Sequence, residues 1–161
     1  MKLDGYSGFR FFQALAPQDI IAGAATTGAT VDTQGYDTAT IVVNVGAPTG
    51  GVLSADNRFQ LMLEHYNSAG VSAWSECYPS QMLHSVVGQA GAYSALNSGI
   101  FESIASTTSY ANQTYAVGYK GPHRFIRLRI SEVGAPSTHS MGAIAILGKE
   151  ANWPINVPVA D

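Results

Sequence analysis

The spacing of the apolar residues constrains this chain most: it repeats at every second position, as in strands with one buried face. From Arg58 to Tyr66, Phe59, Leu61 and Leu63 share one side, while Arg58, Gln60 and Glu64 share the other. From Arg124 to Ile130, Ile126, Leu128 and Ile130 alternate with Phe125, Arg127 and Arg129. The same pattern holds over Ala39–Val45 (Ala39, Ile41, Val43, Val45) and over Tyr115–Tyr119 (Tyr115, Val117, Tyr119). Met141–Leu147 is apolar on both faces and rich in small residues, which predicts a central strand covered on both sides or tightly approached by a neighbour. Weaker strand signals lie at Phe9–Leu15, Ile20–Ala22, Val71–Trp74 and Ile100–Ile104.

Glycine and proline punctuate these runs. Gly46-Ala47-Pro48-Thr49-Gly50-Gly51, Asn67-Ser68-Ala69-Gly70, Lys120-Gly121-Pro122 and Gly134-Ala135-Pro136-Ser137 all carry turn chemistry. Gly35-Tyr36-Asp37 reads as a turn in which Asp37 bonds the backbone, and Gly121-Pro122 as a tight link that lets two consecutive strands pair antiparallel. Many short strands with frequent turns predict an all-β domain, a β-sandwich or jelly roll, over a parallel α/β sheet. The expected layout is an N-terminal arm over 1–17, a sandwich over 18–150 with a long excursion at 77–112, and a C-terminal arm over 151–161. Within the excursion, Met82, Leu83, Val86 and Val87 fit a short amphipathic helix that Gly88, Gly91 and Ser94 would end early.

Both ends are unusually apolar. The first carries Tyr6, Phe9, Phe11 and Phe12; the last carries Trp153, Ile155 and Val157 between Pro154 and Pro158, which forbid a helix. A large apolar side chain left in water forgoes about 1.5–3 kcal/mol. The tail therefore either packs on its own domain or lies along a neighbouring subunit.

Composition narrows the function classes. Of 161 residues, 46% are hydrophobic and 12% charged, so disorder is not expected and a poorly charged surface hints at assembly. The net charge of −3 gives no electrostatic reason for nucleic-acid binding. No apolar run is long enough for a membrane helix, and Met1-Lys2-Leu3-Asp4-Gly5 opens no apolar signal core, so synthesis in a cytoplasm without export is expected.

Signals for chemistry are weak. Cys77 is the single cysteine and reads as a small buried apolar residue; no internal disulfide and no cysteine-based zinc site can form. His65, His84, His123 and His139 are far apart in sequence and match no zinc signature. Neither Gly5-Tyr6-Ser7-Gly8 nor Gly70-Val71-Ser72-Ala73 is a nucleophile elbow, and the 23–28 loop lacks the lysine of a phosphate loop. The expectation is a protein that is not an enzyme and holds no metal or cofactor. Arg58, Arg124, Arg127 and Arg129 form the one basic concentration, read as a solvated face or as a contact face. Trp74 and Trp153 are candidates for sugar stacking, though tryptophan in a β-rich domain more often serves core or interface.

Two stretches, Val31-Asp32-Thr33-Gln34-Gly35-Tyr36-Asp37-Thr38-Ala39-Thr40-Ile41-Val42-Val43-Asn44-Val45-Gly46 and Val117-Gly118-Tyr119-Lys120-Gly121-Pro122-His123-Arg124-Phe125-Ile126-Arg127-Leu128-Arg129-Ile130, together resemble a group of small tailed-phage and prophage virion proteins similar to capsid decoration, or cement, proteins. In that group a Gly-Tyr-Asp start leads into a Val-rich strand, and a Gly-Tyr-x-Gly-x-x-Arg segment precedes an Ala/Ile-rich strand like residues 141–148. The likeness leaves the aromatic N-terminus and residues 77–112 unmatched. It implies a protein on the outside of a phage head, in symmetric copies such as trimers, bridging major capsid subunits. Phe9, Phe11, Phe12, Trp153, Ile155 and Val157 on the arms, with Arg127 and Arg129 on the sheet, are then the expected contact residues. Alternatives are a head–tail or tail-associated component and a carbohydrate-binding head spike.

Overall fold

The computed structural model describes residues 8–23, 25–50, 53–66, 73–84, 99–105 and 112–150. Eleven strands occur among them: β1 (Phe9–Ile20), β2 (Thr26–Thr27), β3 (Val31–Asp32), β4 (Tyr36–Thr49), β5 (Arg58–Tyr66), β6 (Ser75–Glu76), β7 (Met82–His84), β8 (Ile100–Ile104), β9 (Gln113–Tyr119), β10 (Phe125–Val133) and β11 (Thr138–Glu150). They make two antiparallel sheets packed face to face, the expected sandwich. The front sheet runs β1-β11-β4-β9-β7. In the back sheet β10 and β5 are central, with β2 and β3 beside β10, and β6 and β8 beside β5.

Alternation places the core. Ile41, Val43 and Val45 of β4, Val117 of β9, and Met141, Ala143, Ala145 and Leu147 of β11 point inward from the front sheet. They meet Phe59, Leu61 and Leu63 of β5 and Ile126, Leu128 and Ile130 of β10. The register Leu63↔Leu128 and Leu61↔Ile130 keeps both back strands' apolar sets on one face. A slip by one residue would turn the whole set into water, so burial itself enforces this pairing.

With the exception of the β5–β6 pair, consecutive strands are not sheet neighbours, and the chain repeatedly crosses between the sheets. Lys120–Arg124 is one such crossing and not the antiparallel turn that its sequence suggests. β9 already has β4 and β7 on its two sides, and β10 has β5 on one side with β2 and β3 on the other, so the two cannot pair. Met82 and Leu83 also depart from expectation. They belong to a strand, Met82 buried and Leu83 exposed, paired with Tyr119 and Gly118 of β9. A three-residue 3-10 turn, Pro79–Gln81, leads into it, with Tyr78 N–H donating to Gln81 Oε1 at 2.8 Å. Val86 and Val87 lie outside the described residues.

In the turn before β4, Gly35 takes φ +86, which favours glycine, and Asp32 Oδ1 accepts from Gln34 N–H at 3.0 Å. Residues 9–17, expected as an arm, form much of β1 and pair with β11 of the same chain. Residues 151–161 lie outside the described residues.

Two candidate contact faces

The outer side of the front sheet is built by register. Phe11 of β1 stands opposite Ile146 of β11, Ile146 opposite Thr40 of β4, Thr40 opposite Gly118 of β9, and Gly118 opposite Leu83 of β7. The next row is Gln13, Ile144, Val42 and Ala116. The result is a broad apolar surface at which Phe9 (43%), Phe11 (51%), Leu83 (58%) and Ile144 (42%) are exposed. β11 is therefore central within its sheet and apolar on both faces as expected, yet only its inner face enters the core. Its outer glycines are closely approached: a Cβ on Gly142 would lie 3.3 Å from Pro17, and one on Gly148 would lie 2.7 Å from the Phe9 ring. Beside them a groove of about 480 Å³ opens between Phe11, Gln13, Pro17, Asn44, Gly142 and Ile144. Phe12 stands opposite Ala145 on the other side of β1, also exposed.

The outer side of the back sheet is polar and aromatic, and its groups are spent on one another. Arg127 stands opposite Glu64 in the ladder. Its Nε donates to Glu64 Oε2 at 2.7 Å, and Arg129 Nη1 donates to Oε1 at 3.1 Å. The Glu64 side chain is 5% exposed, against 21% for Arg127 and 35% for Arg129. Arg124 grips Asp32 with two bonds, Nε to Oδ1 at 2.8 Å and Nη2 to Oδ2 at 2.6 Å, which lowers the Asp32 pKa. Arg58 donates to the Ala55 carbonyl. Tyr66 and Phe125, opposite in register, stack at 4.9 Å, and Trp74 meets Tyr66 at 4.3 Å. The Arg127 guanidinium lies 4.0 Å from the Trp74 ring centre, and that of Arg124 lies 4.8 Å from Phe125. The basic concentration seen in the sequence is thus largely neutralised within the chain, and each of these three rings already has a partner.

A third cluster joins the sheets at one end. Tyr119 of β9 reaches across to His65 of β5, with Oη 2.9 Å from Nδ1, and accepts the His123 N–H at 3.0 Å. With that lone pair engaged, the hydroxyl proton is free to bond Nδ1 of a neutral His65. Burial, followed by the nearby His123 ring at 4.2 Å, lowers the His65 pKa. Burial also pushes the Tyr119 hydroxyl up to about 12, and the Cys77 thiol up to about 12 with the Glu64 charge adding to it. Cys77 is the buried small residue expected. At the opposite end of the core lies His139, fully buried against Phe59, its Nδ1 3.3 Å from the Gly46 carbonyl and its pKa lowered chiefly by burial. Among the described residues no group of three or more His, Cys, Asp or Glu is arranged to hold a metal ion.

Of the sequence-derived contact residues, the structure gathers Phe9, Phe11 and Phe12 on β1 and sets Arg127 and Arg129 on the opposite sheet. Trp153, Ile155 and Val157 lie outside the described residues. Sequence reasoning missed Ile144 and Leu83 as surface groups; the two-faced apolar run at 141–147 was the available signal for the first. It also missed that Glu64 would be buried between two arginines, which depends on the β5–β10 register. No family model, curated protein or solved structure matches the chain, so its function must be read from these faces.

Proposed function

We propose that this protein is a structural component of a phage head, a decoration protein that binds the outside of the shell and bridges major capsid subunits. The observation that carries the reading is the apolar outer face of the front sheet, where Phe9, Phe11, Ile144 and Leu83 stand exposed on a rigid sandwich. Large apolar groups held on a sheet, unlike those on a loose loop, have little further ordering entropy to lose on docking. The sequence resemblance to virion proteins supplies the kind of partner. Repetition over a symmetric shell would turn modest affinity per copy into durable attachment through multivalency. The glycan-spike alternative calls for open ring faces, and Tyr66, Trp74 and Phe125 are already engaged.

The test is binding to empty shells assembled from the major capsid protein of the same phage or prophage. Wild-type protein should saturate the shells at a fixed ratio and raise their resistance to heat. Ile144→Asp should abolish saturation while the isolated protein stays folded. Saturation unaffected by Ile144→Asp, or no binding by the wild type, overturns the reading. Deleting residues 151–161 separates the tail from the face: release from shells assigns the contact to the tail as well.

A further inference from the structure

The crossing from β9 to β10 is fastened differently at its ends and at its centre. At the ends it is tied to backbone and to charge. Lys120 N–H donates to the Gln81 carbonyl at 2.9 Å, the Arg124 carbonyl accepts from Thr33 N–H at 2.8 Å and from Thr33 Oγ1 at 2.7 Å, and the Arg124 side chain is held by Asp32. The centre, Gly121 to His123, is fastened by His123 N–H, which donates to Tyr119 Oη at 3.0 Å. Lys120, Pro122 and Arg124 are exposed, so water lies on the outer side of this stretch.

Counting protons shows what holds the centre in place. Tyr119 Oη accepts from His123, so its own proton goes to His65 Nδ1 at 2.9 Å, and the neutral His65 ring carries its proton on Nε2. A second proton on His65 has only Nδ1 to occupy, where it would meet the Tyr119 hydroxyl proton head on. The hydroxyl would have to turn away, leaving Oη facing two N–H donors. His65 is 3% exposed, so no bulk water replaces the lost bond. The His123 ring stands 4.2 Å from that of His65 at an interplanar angle of 75°, and its Nδ1 is buried with no hydrogen-bond partner. A proton placed there has no acceptor either, and two charged rings at this distance repel.

Nothing described around the pair offsets that charge. Tyr119 faces it from β9, and Cys77, beyond β6, lies beside Tyr119; burial pushes both up to about 12, so neither supplies an anion. Glu64, next to His65 on β5, points to the other side of the sheet, where Arg127 and Arg129 hold it, and Glu76 stands opposite Glu64 in register. Asp32 is committed to Arg124.

We infer that His65, Tyr119 and His123 form an acid-operated latch, which in mildly acidic solution releases residues 121–123 into water while the two sheets stay packed. The sign follows from the two forms. In the closed form burial and the neighbouring ring hold the His65 pKa below its ordinary value; in the open form the rings are hydrated and titrate near about 6.5. The latch is therefore closed above that value, and below it opening gains up to about tenfold per pH unit for each histidine that protonates only when open.

Amide hydrogen exchange of the full chain, followed by NMR and corrected for intrinsic rates, tests it. Between about pH 7.5 and about pH 5 the protection at position 123 should fall at least about tenfold, to a value below those at Leu63 and Leu128 in the central strands. His65→Gln keeps a polar partner for Tyr119 that does not titrate, and should cut the loss at position 123 to under about threefold. Imidazole nitrogen shifts of the wild type give an independent readout: His65 should be the Nε2–H tautomer at about pH 7.5 and protonated where protection is lost. Protection at position 123 that is unchanged by acid overturns the inference, as does equal protection at all three amides, which would mean that only global unfolding frees the crossing. So does a folded His65→Gln that keeps the full loss, or a His65 that is still neutral after the latch has opened.

Discussion

Removing one oxygen, by Tyr119→Phe, should measurably loosen the closure of the sandwich. The Tyr119 hydroxyl is the acceptor for His123 N–H at 3.0 Å and the partner of His65 Nδ1 at 2.9 Å, and it links the front sheet to the back. Phenylalanine keeps the ring in place, so the loss is confined to those two bonds. A stranded donor costs about 1–3 kcal/mol, and the net worth of an ordinary hydrogen bond is about 0.5–1.5 kcal/mol. The slightly better burial of phenylalanine offsets a little of this, leaving an expected destabilisation of about 2–3 kcal/mol. For a domain of this size each kcal/mol lowers Tm by about 2–4 °C, so the shift should be roughly 4–12 °C. Urea unfolding followed by tryptophan fluorescence gives the free energy, and amide exchange at His123 gives the local effect. A loss below about 0.5 kcal/mol, with His123 exchange unchanged, would refute the bridging role of the hydroxyl.

Three further outcomes follow from the same contacts. Gly121→Ala would place a Cβ 2.5 Å from carbons of the Tyr119 ring, so the ring must shift and release both bonds; it should destabilise at least as much as Tyr119→Phe, and the two changes together should cost clearly less than their sum. His65 and His139 both have pKa values lowered from 6.5 in the folded state, so the unfolded chain binds more protons as pH falls below 6.5, and stability should be full above that value and decline beneath it. The limiting slope is about 1.4 kcal/mol per pH unit for each histidine. Urea midpoints at about pH 7.5 and about pH 5.5 measure it, and a flat profile would contradict the burial of both rings. Glu64→Gln leaves two guanidiniums around a neutral amide; because both retain some solvent, the expected loss is roughly 1.5–3 kcal/mol by urea unfolding, and a loss under about 0.5 would show that the arginines are stabilised by water alone.

How the chain reads depends on how local each cause is. The period-two pattern of Phe59, Leu61 and Leu63, and of Ile126, Leu128 and Ile130, is a property of neighbouring residues, so it marks strands and their buried faces without reference to the rest of the chain. The all-β sandwich follows from several such runs and their turns. The same locality misleads at Lys120-Gly121-Pro122, where good turn chemistry joins strands of different sheets, and at Met82-Leu83, where a pair compatible with a helix is drawn into a strand beside β9.

The sequence by itself determined the strands that carry period-two alternation at 39–45, 58–66, 115–119 and 124–130, their inward residues and the surplus of apolar groups near the N-terminus. Only the tertiary structure decided that Glu64 sits between Arg127 and Arg129, that Tyr119 reaches His65, and that Phe11, Ile144 and Leu83 share one outer face. The physical reason is that alternation fixes which way a side chain points relative to its own strand. Which strand lies beside it is settled by the joint burial of residues far apart along the chain.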